Sequence, residues 1–155
     1  MDKGKILAAV LAELEADLRR QLVANESASA GATHGEARAE TKWDTCGLEQ
    51  SYLARGHAQQ FAALAQQTEE LRAFSLPSFA EKPIGIGALI ETEMAENKMV
   101  FFLLKCGGGI EVEIDGQTVS VITPESPVGA ALLDKKRGDT YSFRTGTEGK
   151  IRQIE

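Results

Sequence analysis

Proline is absent from the first 74 residues of this 155-residue chain; all four prolines lie between Pro77 and Pro127. Nothing in the first half therefore breaks a helix by ring geometry. Aromatic residues make up only 6%, with a single tryptophan, Trp43. That scarcity excludes a surface that stacks single-stranded nucleic acid on aromatic platforms. Cysteine is limited to Cys46 and Cys106, 60 positions apart. Two such residues make no disulfide framework, and the expected setting is reducing and cytoplasmic, with two free thiols. No apolar run approaches the roughly 18 residues that cross a bilayer. The charged start Met1–Lys5 and the breaks at Glu13 and Glu15 differ from a signal peptide and fit an amphipathic helix. Basic residues are outnumbered 17 to 23, for a net charge of −6. This excess of acid argues against generic duplex binding by counterion release, so contact with nucleic acid is expected only indirectly, through a protein.

What is present divides near residue 75. Residues 1–74 are rich in Ala, Leu, Gln and Glu, whereas the later half is rich in Val, Ile, Thr and Gly. The expected organisation is a helical hairpin over 1–74, a linker over 75–83 and a second domain over 84–155. In the first half, Ile6, Leu7, Val10, Leu11, Leu14, Leu18 and Leu22 recur at helical spacing and define one apolar stripe. A looser stripe follows in Leu48, Tyr52, Phe61, Leu64, Leu71 and Phe74. Between them the polar Asn25–Gly35 segment, with Gly31 and Gly35, predicts a reversal.

In the second half, the continuous apolar run Met99–Leu104 predicts a buried strand. Ile110–Ile114 alternates apolar and acidic residues, Asp115–Gly116 predicts a tight turn, and Val119–Ile122 continues as a strand. Ser126–Pro127 is a helix-start pair that opens a short helix over 127–133. Tyr141–Arg144 and Lys150–Ile154 complete a mainly antiparallel sheet. Gly107–Gly109 lacks the Lys-Ser or Lys-Thr of a phosphate loop and predicts a hairpin turn. The Gly-Ile-Gly within Pro83–Gly87 lacks the third glycine of a dinucleotide fingerprint. His34, His57, Cys46 and Cys106 have the spacing of no local zinc motif.

Two polar groups carry chemistry. Glu36, Glu40 and Asp44 are spaced by four and share one side of a helix, where carboxylates can hold a hard divalent cation or simply favour a helix start. Lys135, Lys136 and Arg137 form the one basic cluster. Residues 134–155 carry six basic against four acidic residues, in contrast to the acidic remainder.

The segment Ile122–Leu133 (ITPESPVGAALL), followed by Lys135–Asp139 (KKRGD), resembles the C-terminal signature of the bacterial Gre (GreA/GreB) transcript-cleavage factors. In that family a strand leads to Ser-Pro-(Leu/Ile/Val)-Gly-x-Ala-Leu, then Gly-Lys-Lys-x-Gly-Asp and a final hairpin. Asp134 stands where the family has Gly. The match covers residues 86–155. His34–Thr41 is the nearest counterpart of the acidic family tip, with Glu36 in place of Asp and Glu40 one residue late.

The resemblance implies an α+β fold, with an N-terminal antiparallel coiled-coil hairpin before an FKBP-like antiparallel sheet domain carrying one short helix. It implies an accessory factor rather than an enzyme. Such a factor binds bacterial RNA polymerase, inserts its tip into the secondary channel, and modulates elongation or stimulates cleavage of backtracked RNA. Ser126, Pro127, Gly129, Lys135, Lys136 and Arg137 are then the polymerase-binding residues. Glu36 and Glu40 are the tip acids that assist the polymerase's magnesium. The isolated chain is expected to hold no metal or cofactor of its own. Two alternatives remain open: a secondary-channel regulator without cleavage, and an FKBP-like chaperone or interaction module, for which Phe79, Phe101, Phe102, Tyr141 and Phe143 would have to form a pocket.

Overall fold

The computed structural model describes residues 1–33 and 46–155, and the side chains of 1–27 and 55–155. The element order is α1 (Lys3–Thr33), α2 (Cys46–Arg72), β1 (Leu89–Met94), β2 (Asn97–Leu103), β3 (Glu111–Ile114), β4 (Gln117–Ile122), α3 (Pro127–Leu132), β5 (Thr140–Arg144) and β6 (Thr147–Ile154). A pair of helices thus precedes a six-stranded sheet with one short helix, an α+β fold. No helix among the described residues is long and apolar enough to cross a membrane.

The chain forms two compact units, one of Met1–Glu13 with Leu71–Glu155 and one of Leu14–Glu70. The opening turns of α1 and the last residues of α2 belong to the same unit, so the chain that leaves along α1 returns along α2. Helix α1 runs through Asn25–Thr33, where the sequence predicts a reversal. Alanines at 28, 30 and 32 favour helix enough to carry Gly31, whose cost is about 1 kcal/mol. The Ser27 hydroxyl donates to the Val23 carbonyl one turn back, at 3.0 Å. Of the α1 stripe, Ile6, Leu7, Val10 and Leu14 are buried, whereas Leu22 is 48% exposed. In α2, Phe61 and Leu64 are half-buried and Leu71 is buried.

The sheet order is β3-β4-β2-β1-β6-β5. Four of its five pairings are antiparallel, but β2 and β4 run parallel, with Val100 opposite Val119 and Leu103 opposite Ile122. The sheet is therefore mixed. Gly107–Gly109 is not a hairpin turn between β2 and β3, because β4 lies between those two strands. The loop instead carries the chain across, and the Gly109 amide donates to the Val121 carbonyl of β4 at 2.9 Å. The Asp115–Gly116 turn forms as predicted, with both residues at positive φ (53° and 75°).

Strand alternation divides the apolar residues between two faces. Ile90, Met94, Phe101, Leu103, Ile122, Tyr141 and Ile151 form one core with Leu132 of α3 and with Phe79 and Ile84 of the connector, the segment 73–88 between α2 and β1. Leu89, Val100, Phe102, Val112, Val119 and Val121 are joined by strand register on the other face and are buried there. Phe101, Phe102 and Tyr141 are thus consumed by sheet packing.

Candidate docking surface around the short helix

Helix α3 is built by its cap. The Ser126 hydroxyl accepts the Gly129 amide at 3.1 Å and donates to the Thr123 carbonyl at 2.7 Å. It closes the turn before the helix and satisfies one of the amides that a helix start leaves open. Pro127 occupies the first turn, where its missing N–H costs nothing. Gly129 is buried against Thr123, and a Cβ at this position would collide with the Thr123 carbonyl. These three signature residues therefore shape the strand-to-helix corner directly.

The basic cluster follows at the end of α3. Asp134 adopts φ 62°, the left-handed region, and turns the chain. Its amide donates to the Ile84 carbonyl (3.0 Å), and the Lys135 carbonyl accepts the Ile84 amide (2.8 Å). This two-bond bridge ties the connector to the loop. Lys135 is half-buried, while Lys136 and Arg137 are exposed. The loop closes through the Lys136 amide, which donates to the Asp139 carboxylate at 2.7 Å. It is pinned to β6 by the Gly138 amide on the Ile151 carbonyl (2.9 Å) and by Arg137 Nε on the Arg152 carbonyl (3.0 Å).

Lys136 and Arg137 line an open cleft of about 520 Å³ with Phe79, Lys82, Gln153 and Ile154. Ala80 and Glu81 complete its connector wall. Phe79 is 8% exposed and belongs to the core. The Lys3 ammonium lies 5.4 Å from its ring centroid and donates to the Pro77 carbonyl at 2.6 Å. Burial lowers the Lys3 pKa, opposed by the Glu155 carboxylate.

The structure thus gathers Ser126, Pro127 and Gly129 at the helix start, and Lys136 and Arg137 at the cleft. Glu36, Glu40 and Asp44 lie outside the described residues. Lys82 and Gln153 were not singled out by sequence, since each looks ordinary in its own segment; Phe79 entered only as one of the aromatics for an FKBP-like pocket, and Ile154 only as the end of a strand. No group of three His, Cys, Asp or Glu side chains that could hold a metal occurs among the described residues.

No protein-family model matches the chain, and no curated protein matches it. Among solved structures, it is similar to the crystal structure of GreA factor homolog 1 (Gfh1) of Thermus thermophilus, at 19% identity and a TM-score of 0.39, covering 94% of each chain. It is also similar to Thermus aquaticus Gfh1, at 19% identity and a TM-score of 0.39, covering 92% of each chain.

Proposed function

We propose that the chain is a Gre-like accessory factor of RNA polymerase, acting in the cytoplasm, which enters the secondary channel with its helical hairpin. The observation that carries this reading is the signature segment. Ser126, Pro127 and Gly129 form a capped, close-packed helix start between two strands, and a basic loop follows. Helices α1 and α2, of 31 and 27 residues, support the hairpin part of this reading.

On this reading the surface around α3 docks on the polymerase, and the tip acids Glu36 and Glu40 reach its active site. Magnesium would belong to the polymerase and would supply activated water for hydrolysis of backtracked RNA. The chain is then not itself an enzyme. Glu36 and Glu40 would then be the carboxylates that offer oxygen ligands to a second magnesium ion. Glu36 stands for Asp and Glu40 is one residue late, which displaces both carboxylates. A displacement of about an ångström can cost about a hundredfold in rate. That departure favours a second form of the same reading, a channel regulator that docks with little or no cleavage.

Pull-down with core RNA polymerase, followed by a cleavage assay on a stalled elongation complex, tests both. Retention on the polymerase with weak or absent cleavage is expected. Failure to bind core polymerase overturns the proposal. Prolyl-isomerase activity on a Pro-containing peptide would replace it with the FKBP-like alternative.

A further inference from the structure

We propose that the cleft between the connector and the Lys136–Arg137 loop is a docking groove for an acidic protein segment bearing an apolar anchor. The inference rests on the docking reading above and gives the chemistry of the surface that this face meets.

Charge is the first argument. Lys82, Lys136 and Arg137 converge on the cleft with Glu81 as its one acidic lining residue, in a chain whose net charge is −6. Among the described residues, neither the Lys82 nor the Lys136 ammonium is in an ion pair. Arg152, the next cation along β6, is different: its guanidinium is held by Glu93 at 2.7 Å. Three cations against the single lining carboxylate of Glu81, with Asp139 held on the Lys136 amide, leave the lining of the cleft net positive, which an anionic partner relieves.

The floor is the second argument. Ile154, half-buried, offers the apolar surface of the cleft, and Phe79 adds only the small edge that its burial leaves open. An apolar side chain seated there with carboxylates on its flanks satisfies both parts of the cleft. A phosphate polymer offers no such side chain, and its many charges would meet the acidic remainder of the molecule. A free nucleotide would need an aromatic face for stacking, but Phe79 is nearly buried and its ring already carries the Lys3 ammonium.

Preorganisation is the third argument. The connector is fixed to the loop through Ile84 and Lys135, and the loop to β6 through Arg137 and Arg152. The walls are held by backbone hydrogen bonds, Ile84 with Asp134 and Lys135 and Gly138 with Ile151, and by the Arg137 side chain on the Arg152 carbonyl, before any partner arrives, which lowers the ordering cost of binding.

The test uses the intact protein and a labelled synthetic peptide with glutamates on either side of a leucine. Fluorescence anisotropy should show binding that weakens with salt. Lys82→Glu combined with Lys136→Glu should weaken it by about tenfold, since two attractions become repulsions. Changing the peptide leucine to glutamine should weaken it as well. Lys98→Glu, on an exposed residue outside the cleft, should leave it unchanged, and circular dichroism should confirm that each variant folds. The same double variant should lose affinity for core polymerase. Absence of peptide binding to the parent overturns the inference, as does equal binding by the double variant, or tighter binding of inorganic polyphosphate than of the peptide. If the parent binds polymerase but the double variant binds it equally well, the groove is wrong and the docking reading stands. If the parent ignores polymerase yet binds the peptide through the cleft, the groove stands and the docking reading falls.

Discussion

Gly129 sits directly beneath the carbonyl of Thr123, so closely that any side chain at 129 must displace backbone. The obstacle is a main-chain oxygen, which cannot rotate away like a flexible side chain. Gly129→Ala is therefore expected to destabilise the fold by about 2 kcal/mol or more, within or above the usual range for overpacking. Ser126→Ala, which removes the cap of the same helix, should cost about 1 kcal/mol. Urea denaturation measures both. A Gly129→Ala variant as stable as the parent would show that the corner is looser than this geometry.

Asp134 offers the opposite sign. It holds φ 62° and is exposed, in a position that the Gre signature gives to glycine. A non-glycine residue in the left-handed region costs roughly 1–2 kcal/mol. Part of that is offset because glycine loses more freedom on folding. Asp134→Gly should therefore stabilise the protein by up to about 1 kcal/mol, read as a higher denaturation midpoint with an unchanged slope. A fall in midpoint would mean that the Asp134 side chain contributes more than its backbone costs.

The sequence made these local devices visible unequally. The Ser-Pro cap and the Asp115–Gly116 turn were legible because each requires particular residue types. The turn joining β1 to β2 was not: Ala95 and Glu96 both adopt positive φ, at 49° and 67°, without the Asn or Gly that would announce it. Strand β1 itself, central in the sheet, was hidden for a similar reason. Leu89 and Ile90 are both buried on opposite faces, and Glu91 and Glu93 interrupt the apolar pattern. The parallel β2–β4 pairing was also illegible, since alternation identifies a strand but not its neighbour. The cleft draws Lys82, Lys136 and Gln153 from three distant segments, so no local window contains it.

Thr92 and Tyr141 test the polar part of the core. Their hydroxyls share a hydrogen bond of 3.0 Å, and both residues are almost fully buried. The Thr92 hydroxyl has one further acceptor, the Met99 carbonyl, at 3.5 Å. Tyr141→Phe should cost about 1–2 kcal/mol, because a buried hydroxyl loses its better partner. Combining it with Thr92→Val should cost less than the sum of the single changes, a coupling visible in a double-mutant cycle. Burial raises the Tyr141 pKa above its ordinary value of 10.0, partly offset by the Thr92 hydrogen bond. The stability held by the neutral phenol is fully present below pH 10 and is lost as pH rises through the raised folded value. The parent should therefore weaken more steeply in alkali than Tyr141→Phe. Parallel alkaline profiles would remove Tyr141 as the cause.

The tip prediction concerns chemistry. Glu36 and Glu40 lie at four-residue spacing between the two helices, and the signature segment lies far from them along the chain. Docking that depends on the sheet unit should not need these acids, whereas a second magnesium ion at a polymerase active site should. Magnesium takes one or two carboxylates and completes its octahedron with water and phosphate oxygens. The isolated protein should consequently bind it weakly. Glu36→Ala with Glu40→Ala is expected to leave polymerase affinity within about twofold, because no docking residue changes. Cleavage of backtracked transcript, or the elongation rate where the parent stimulates no cleavage, should change in the same preparation. Exchanging Glu36 for Asp, the residue of the family tip, should raise cleavage if carboxylate position limits the rate. If the double variant matches the parent in binding, cleavage and elongation, the proposed role of Glu36 and Glu40 is wrong.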